Sequence, residues 1–264
     1  MLPYIYIGEY PLNLYRFSLA CAVMLGSLLV FRRLRNAGFS QSQAFNALLV
    51  GYFLVTAGPF LLNFAFQAVL NGITTGSEQV FEGSTVLGVI TALILYAALY
   101  ARAHSMPIGA ALDLVVPVLP LAQAIGRIGC LMAGCCYGKV TSSAWGAYLP
   151  DDQGRWALRH PTHLISSAVD LLIFALLITL ERFFTRRPPT DRPFPGFYTL
   201  LYLLLYTAKR FLVEFLRGDG TPLPGGLTIY QVYVALAFAL STGLMAIGWM
   251  IHRRKVSSSP QLSG

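Results

Sequence analysis

Charge is scarce in this chain: Asp, Glu, Lys and Arg make up 11% of its 264 residues, against 56% hydrophobic residues. Soluble domains carry about 25% charged residues, so a water-exposed globule is excluded. Acids are the scarcer sign, 11 against 19 Lys and Arg, which gives a formal charge of +8. The basic residues fall in short blocks between apolar runs, the pattern of membrane topology rather than of a nucleic-acid surface. Cysteine is limited to Cys21, Cys130, Cys135 and Cys136. They form no C-x-x-C pair, so structural thiols or a single disulfide are the readings, with no metal motif. HExxH, GxSxG, Walker A and dinucleotide fingerprints are also lacking, which removes support from metallopeptidase, serine-hydrolase and nucleotide-driven chemistry. The N-terminus has no basic stretch followed by a small-residue cleavage site, so the first span is expected to be retained.

What is present is apolar sequence long enough to cross a hydrocarbon core about 30 Å thick, repeatedly and along the whole length. Mean hydropathy is +0.62. The expected fold class is all-α: a polytopic integral membrane protein of about seven transmembrane helices. The segments are Leu12–Phe31, Ala44–Leu70, Thr85–Ala101, Pro107–Ile125, Thr162–Glu181, Gly196–Leu216 and Leu227–Ile251. Residues 1–251 read as a single transmembrane domain and 252–264 as a short basic, disordered cytoplasmic tail. Gly58-Pro59, Pro117 and Pro120 predict kinks or local unwinding that can open a cavity in a bundle. The larger set of basic residues, Arg32, Arg33, Arg35, Arg102, Arg182, Arg186, Arg187, Arg192, Arg253, Arg254 and Lys255, lies on one side of this topology. That side is expected to be cytoplasmic, with the N-terminus outside and the C-terminus inside.

The run Gly126-Arg127-Ile128-Gly129-Cys130 through Gly134-Cys135-Cys136-Tyr137-Gly138 places an arginine among glycines at the end of an apolar span. A guanidinium at membrane depth is costly without a partner, and glycines leave room for a bulky group beside it. An anion pocket is one reading; helix-end arginines that snorkel to lipid phosphates are the other. Lys209, Arg210 and Arg217 lie at the same expected depth. Arg210, Glu214 and Arg217 are spaced by four and three, so they share one helical face. One carboxylate between two guanidiniums leaves donors free for a phosphate, or locks the helix to a neighbour. Convergence of these cations favours an anionic phospholipid head group. Tyr15, Glu82, Gln123, His160, His163, Thr228 and Gln231 are further polar residues near that depth. His160 and His163 read as interfacial hydrogen-bonding residues, and the loop Lys139–Arg159, with Trp145, Tyr148 and Trp156, reads as interfacial.

These residues resemble the bacterial prolipoprotein diacylglyceryl transferases. The glycine-arginine signature of that family is similar to Gly126-Arg127-Ile128-Gly129-Cys130 through Gly134-Cys135 to Gly138, with Cys130 replacing its asparagine and Cys135 its glutamate. Tyr15 matches a family tyrosine, Asp113 precedes the signature at a similar distance, and Arg159-His160-Pro161-Thr162-His163-Leu164 resembles part of HPTQLYE. Arg210-Phe211-Leu212-Val213-Glu214-Phe215-Leu216-Arg217 resembles RFxxEFxR, and Leu227-Thr228-Ile229-Tyr230-Gln231 resembles LTxxQ. The family's HGG segment appears as Gly83-Ser84-Thr85, or as Glu82-Gly83-Ser84 in a shifted register, without its histidine.

The resemblance implies transfer of diacylglyceryl from phosphatidylglycerol to the lipobox cysteine of lipoprotein precursors, in the bacterial cytoplasmic membrane with the site towards the outer leaflet. Its implied partners are phosphatidylglycerol, precursor signal peptides and membrane lipids, with no cofactor, metal or nucleic acid. Arg127 and Arg210 are expected to be catalytic, with Glu82 or Tyr15 assisting proton removal. Arg127, Arg210, Glu214, Arg217, Gly126, Gly129, Gly134, Gly138, Cys130 and Cys135 are expected to bind substrate. The alternatives are a non-catalytic lipid-binding or transport protein, and a lipid-dependent transferase with another acceptor.

Overall fold

The structure, a computed structural model, describes residues 4–54, 57, 95–151, 153–188, 191–220 and 225–258. The chain divides into two compact units, Met1–Leu29 with Val115–Gly264, and Val30–Leu114. Among the described residues, four helical stretches are long and apolar enough to cross a membrane: Leu14–Asn36, Ile108–Ala133, Thr162–Thr185 and Ile229–Lys255. Large apolar side chains such as Met24, Leu172, Leu236 and Leu240 are exposed along them. A lipid solvent, not water, accounts for that exposure. The protein is a mostly helical membrane protein.

The first unit opens with a hairpin, β1 (Tyr4–Ile7) against β2 (Tyr10–Asn13), turned at Gly8 with φ +65°. Helix α1 (Leu14–Asn36) follows, started by the Asn13 side chain accepting the Arg16 N–H at 3.0 Å. That bond satisfies a free donor of the first turn. After helix α2 (Ile108–Val115) comes a 3-10 turn, Val116–Val118, and then α3 (Leu119–Ala133). Pro117 and Pro120 have no N–H for an uninterrupted helix, so the expected local unwinding is present here. Gly58-Pro59 lies outside the described residues.

A second hairpin, β3 (Ala147–Pro150) with β4 (Trp156–Arg159), precedes α4 (Thr162–Thr185), α5 (Phe197–Glu214) and α6 (Ile229–Ser258). The all-α expectation is therefore corrected to mostly helical, because reversing turns at Gly8 and at Asp151–Arg155 let short extended segments pair. Helix α6 continues through residues 252–258, which the sequence reading assigns to the tail; residues 259–264 lie outside the described residues. Within this unit α3 packs along α4, and α5 along both α4 and α6.

The second unit holds the end of α1, most of α2 and helical residues 41–54 and 95–103. Arg33 donates to the carbonyls of Leu114 and Asp113, both at 2.7 Å. Tyr96 donates its hydroxyl to the Ala47 carbonyl at 2.7 Å, beside Gly51. Asp113 lies inside α2.

The segment after α3 is held from both sides. Lys139 N–H donates to Leu216 C=O at 2.8 Å, Gly218 N–H to Tyr137 C=O at 2.9 Å, and His160 N–H to Lys139 C=O at 3.1 Å. Gly138 pairs with Arg217, and Val140 with Arg159. A methyl group on Gly138 would stand 2.1 Å from the His160 carbonyl oxygen, so only glycine fits. Asp151 ties the hairpin together. It accepts the N–H groups of Gln153 and Arg155, the Arg155 guanidinium at 2.9 Å and the buried Arg159 guanidinium at 3.0 Å. Burial pushes the Asp151 carboxyl up, but the hydrogen bonds from Arg155 and Gln153 outweigh it and hold the group below the ordinary carboxylate value.

Two outcomes follow from this clamp. Gly138→Ala is expected to cost about 1–3 kcal/mol through overpacking, read as a lowered thermal denaturation midpoint in detergent. An unchanged midpoint would show that the His160 carbonyl yields without cost. Because the folded carboxyl of Asp151 titrates below its unfolded value of about 3.9, its stabilisation is complete above that pH and disappears as pH falls through the folded pKa. Proteolysis of the 139–159 loop should therefore accelerate on acidification, and Asp151→Asn should flatten that dependence.

Candidate functional site

Helix α3 ends where Gly134 takes the left-handed conformation, φ +75°, its N–H reaching Leu131 C=O at 3.4 Å. Cys136 then adopts φ +61°, rare for a residue with a side chain. These two positions fold Cys135 and Cys136 back over Cys130 in the last turn of α3. The Cys135 thiol approaches the Cys130 carbonyl at 3.8 Å, and the Sγ atoms of Cys130, Cys135 and Cys136 all lie within 4.8 Å of one another. All four cysteines are free thiols. Hydrogen bonds from Cys130 and then Cys135 lower the Cys136 pKa against the burial that raises it, and Arg217 and Arg127 add positive potential. Cys135 is raised, by the same network and by burial.

The turn is secured from α4. Thr162 Oγ1 donates to Cys136 C=O at 2.9 Å, and His163 Nε2 donates to Cys135 C=O. His163 Nδ1 is buried with no partner among the described residues. Ser167 on α4 and Ser18 on α1 donate to Ala124 C=O and Ile125 C=O, at 2.9 and 2.8 Å. Gly129 allows the closest approach, since a methyl group there would be 3.0 Å from Ser18 Cβ and 3.3 Å from the Tyr15 ring.

A cavity of about 140 Å³ opens beside this turn, lined by Tyr15, Leu19, Gln123, Gly126, Arg127, Cys130, Asp170 and Lys209. That is room for a small polar head group, with no space for acyl chains. A methyl group at Gly126 would meet nothing within 4 Å, so this glycine faces open space. Arg127 makes no hydrogen bond or ion pair with any described residue. Lys209 is paired to Asp170 at 2.5 Å, with side chains 3% and 0% exposed, and its ammonium lies 4.6 Å from the Tyr206 ring centre. Asp170 Oδ2 and Gln123 Oε1 are buried with no partner among the described residues. The lining thus offers one unpaired cation and two unused acceptors.

Arg210, Glu214 and Arg217 are brought together, but they do not line this cavity. Arg210 pairs with Glu214 Oε2 and lies 5.5 Å from the Tyr230 ring centre. Arg217 stands 3.7 Å from Glu214 and grips Asp219 at 2.8 and 2.5 Å. Helix α5 stops at Glu214, so Arg217 reaches the acid from the following turn rather than along one helical face. Thr228 Oγ1 donates to Glu214 Oε1 at 3.1 Å. Thr228 and Gln231 form a reciprocal cap at the start of α6: Thr228 N–H donates to Gln231 Oε1 at 2.8 Å, and Gln231 N–H donates to Thr228 Oγ1 at 3.3 Å. Gly220 packs 3.2 Å from Glu214 Oε1.

Of the residues expected from the sequence, the cavity gathers Tyr15, Gly126, Arg127 and Cys130. Cys135 and Gly134 stand in the adjoining turn, and Gly138 in the clamp beyond it. Glu82 and the 83–85 segment lie outside the described residues. Asp170 escaped the sequence reading, although an acid within the apolar run of α4 is itself a signal of a polar site. Trp145 is 85% exposed, and Tyr148 and Trp156 stack at 5.6 Å on the hairpin surface, in line with an interfacial position.

Comparison with known proteins supplies the context for this geometry. The family model described as prolipoprotein diacylglyceryl transferase matches residues 3–251. The phosphatidylglycerol–prolipoprotein diacylglyceryl transferase of Clostridium tetani is 31% identical over 210 residues, 78% of this chain and 80% of that protein. A Clostridium perfringens relative, the transferase numbered 2, is 31% identical over 209 residues, 78% of each chain. The Chloroflexus aggregans transferase is 28% identical over 267 residues, 90% of this chain and 84% of that one. With a signature arginine beside a cavity in a bundle of apolar helices, and a match over nearly its whole length, this chain belongs to the prolipoprotein diacylglyceryl transferase family.

Proposed function

We propose that this protein transfers the diacylglyceryl group of phosphatidylglycerol to the thiol of a lipoprotein-precursor cysteine. The observation that carries the reading is Arg127, a cation lining a head-group-sized cavity and forming no ion pair or hydrogen bond with any described residue. In a low-dielectric setting such a guanidinium recruits an anion, and its paired N–H groups match a phosphate. Two unused acceptors, Gln123 Oε1 and Asp170 Oδ2, line the same space and suit the two hydroxyls of a glycerol head group. The relatives in Clostridium tetani and Clostridium perfringens are named for the same donor lipid and acceptor class.

In the proposed step the acceptor thiolate attacks the glyceryl carbon that bears the phosphate. The carbon–oxygen bond breaks, its electron pair stays on the phosphate oxygen, and glycerol phosphate leaves. Arg127 stabilises the charge that builds there. Lys209, fixed by Asp170 in the same cavity, is placed to donate to a bound head group. Arg210, Glu214 and Arg217, with Asp219, hold the end of α5 against the signature turn. Tyr15, which lines the cavity, and Glu82 are the groups proposed to assist in removing the proton of the thiol. The cavity is proposed to open toward the outer leaflet of the bacterial cytoplasmic membrane, since the larger set of basic residues occupies the opposite side of the seven-span topology.

Purified protein with phosphatidylglycerol vesicles and a lipobox cysteine peptide should yield a thioether-linked diacylglyceryl peptide by mass spectrometry. Arg127→Ala should lower the rate about 100-fold or more, the scale of losing a charge-stabilising donor. An unaltered rate would take Arg127 out of the reaction, and consumption of no phosphatidylglycerol by the native protein would favour a lipid-binding role. Lys209→Met leaves Asp170 buried and unpaired, at a cost of about 3–5 kcal/mol. Lys209→Met with Asp170→Leu should recover most of that stability but not transfer; full recovery of both would make the pair a strut only.

A further inference from the structure

We propose that Cys130, Cys135 and Cys136 form a three-thiolate zinc site whose open fourth position binds the acceptor cysteine, so that the metal holds the attacking sulfur as a thiolate. The inference rests on the transferase reading above and gives its acceptor a place. Their Sγ atoms already lie within 4.8 Å of one another. Tetrahedral zinc with Zn–S bonds of about 2.3 Å needs sulfurs roughly 3.8 Å apart, so a contraction of about 1 Å completes the site.

Three features of the chain point to a ligand rather than to chance proximity. The backbone is bent into the left-handed region at Cys136, a conformation that costs about 1 kcal/mol or more in a residue with a side chain, and the bend is what turns adjacent thiols toward one point. The carbonyls of Cys135 and Cys136 are each held by α4, from His163 and Thr162, so the loop is rigid where ligands must be. Three thiols gather where a disulfide needs two. Thiolate ligands select thiophilic ions, zinc and copper(I) among them, and zinc brings no redox chemistry to a reaction that has none.

The location suits the reaction. Cys130 lines the cavity that holds Arg127, so a sulfur bound at the fourth position of the metal stands beside the lipid phosphate. Three thiolates and one divalent cation leave a negative charge in excess, and Arg127, which forms no ion pair among the described residues, lies within electrostatic reach of Cys136. The acceptor thiol binds zinc and releases its proton to water. Its sulfur then attacks the glyceryl carbon as the phosphate oxygen departs with the bonding pair. The thioether product is neutral, binds zinc weakly and is displaced by the next acceptor. This arrangement replaces a protein base with a Lewis acid in a chain that lacks the family histidine.

The test uses full-length protein purified in detergent without a polyhistidine tag. Elemental analysis should find about one zinc per chain, falling at least about tenfold in Cys130→Ser and in Cys135→Ser with Cys136→Ser. Cobalt(II) exchanged into the native protein should give an intense thiolate-to-metal charge-transfer band that shifts with a lipobox cysteine peptide and not with its serine counterpart. The native cobalt spectrum decides even where the serine variants fail to fold. Absence of that band in folded protein with all thiols reduced, or a disulfide between any two of the three in anaerobically prepared membranes, would overturn the site. Metal binding with no response to the cysteine peptide would overturn the acceptor role. Thioether formation by metal-free protein would sink the zinc and spare the transferase reading; stoichiometric metal with no thioether product would do the reverse.

Discussion

A hydrocarbon interior supplies no water to finish an incomplete hydrogen bond or to solvate an unpaired ion, and the polar residues of this protein are arranged around that constraint. Lys209 and Asp170 meet across α5 and α4 with almost no exposure. Arg210, Glu214, Arg217 and Asp219 form a chain of alternating charge at the end of α5, with Thr228 on the free oxygen of Glu214. Each of these groups is neutralised by a neighbour. Arg127 forms no ion pair among the described residues, and the same economy that explains the pairs marks it as the place where a ligand supplies charge.

The signature run does two mechanical jobs at once. Up to Ala133 it is helix, and its glycines let α3 approach α1 closely at Gly129 while leaving space at Gly126. Beyond Gly134 it is a turn and then an extended segment pressed between the end of α5 and the hairpin. Gly138 lies under the His160 carbonyl, so the register between signature, hairpin and α5 is set by a contact no other residue permits. Asp151 and Arg159 stiffen the hairpin that delivers that carbonyl. The site is therefore positioned by backbone hydrogen bonds among three distant stretches of chain, in a region where unsatisfied backbone is costly.

Much of this was legible because apolar length and basic blocks are strong signals. The expected spans at Leu12–Phe31, Pro107–Ile125, Thr162–Glu181 and Leu227–Ile251 coincide with the four stretches capable of crossing, and Gly196–Leu216 contains α5. Pro117 and Pro120 marked the break before α3 for a plain reason, the missing N–H. The hairpins were not legible: four-residue strands carry too few alternating positions to stand out from an apolar background. Periodicity also misplaced Arg217, because it assumes a helix that in fact ends at Glu214. Asp170 was hidden by its surroundings; only its position inside α4 shows that Lys209 completes it. The thiol cluster was invisible for a different reason, since C-x-x-x-x-C-C matches no metal spacing until two left-handed residues fold it.

The thiol cluster bears on how a neutral acceptor thiol loses its proton. Thioether formation requires a sulfur without its proton, and a neutral thiol beside a cationic pocket gains only part of what it needs. A base removes that proton at the moment of reaction; a metal removes it on binding and holds the product anion in place. The second solution needs soft ligands at the reacting end of the cavity and positive charge to balance them. Cys130, Cys135 and Cys136 provide the first, and Arg127 the second.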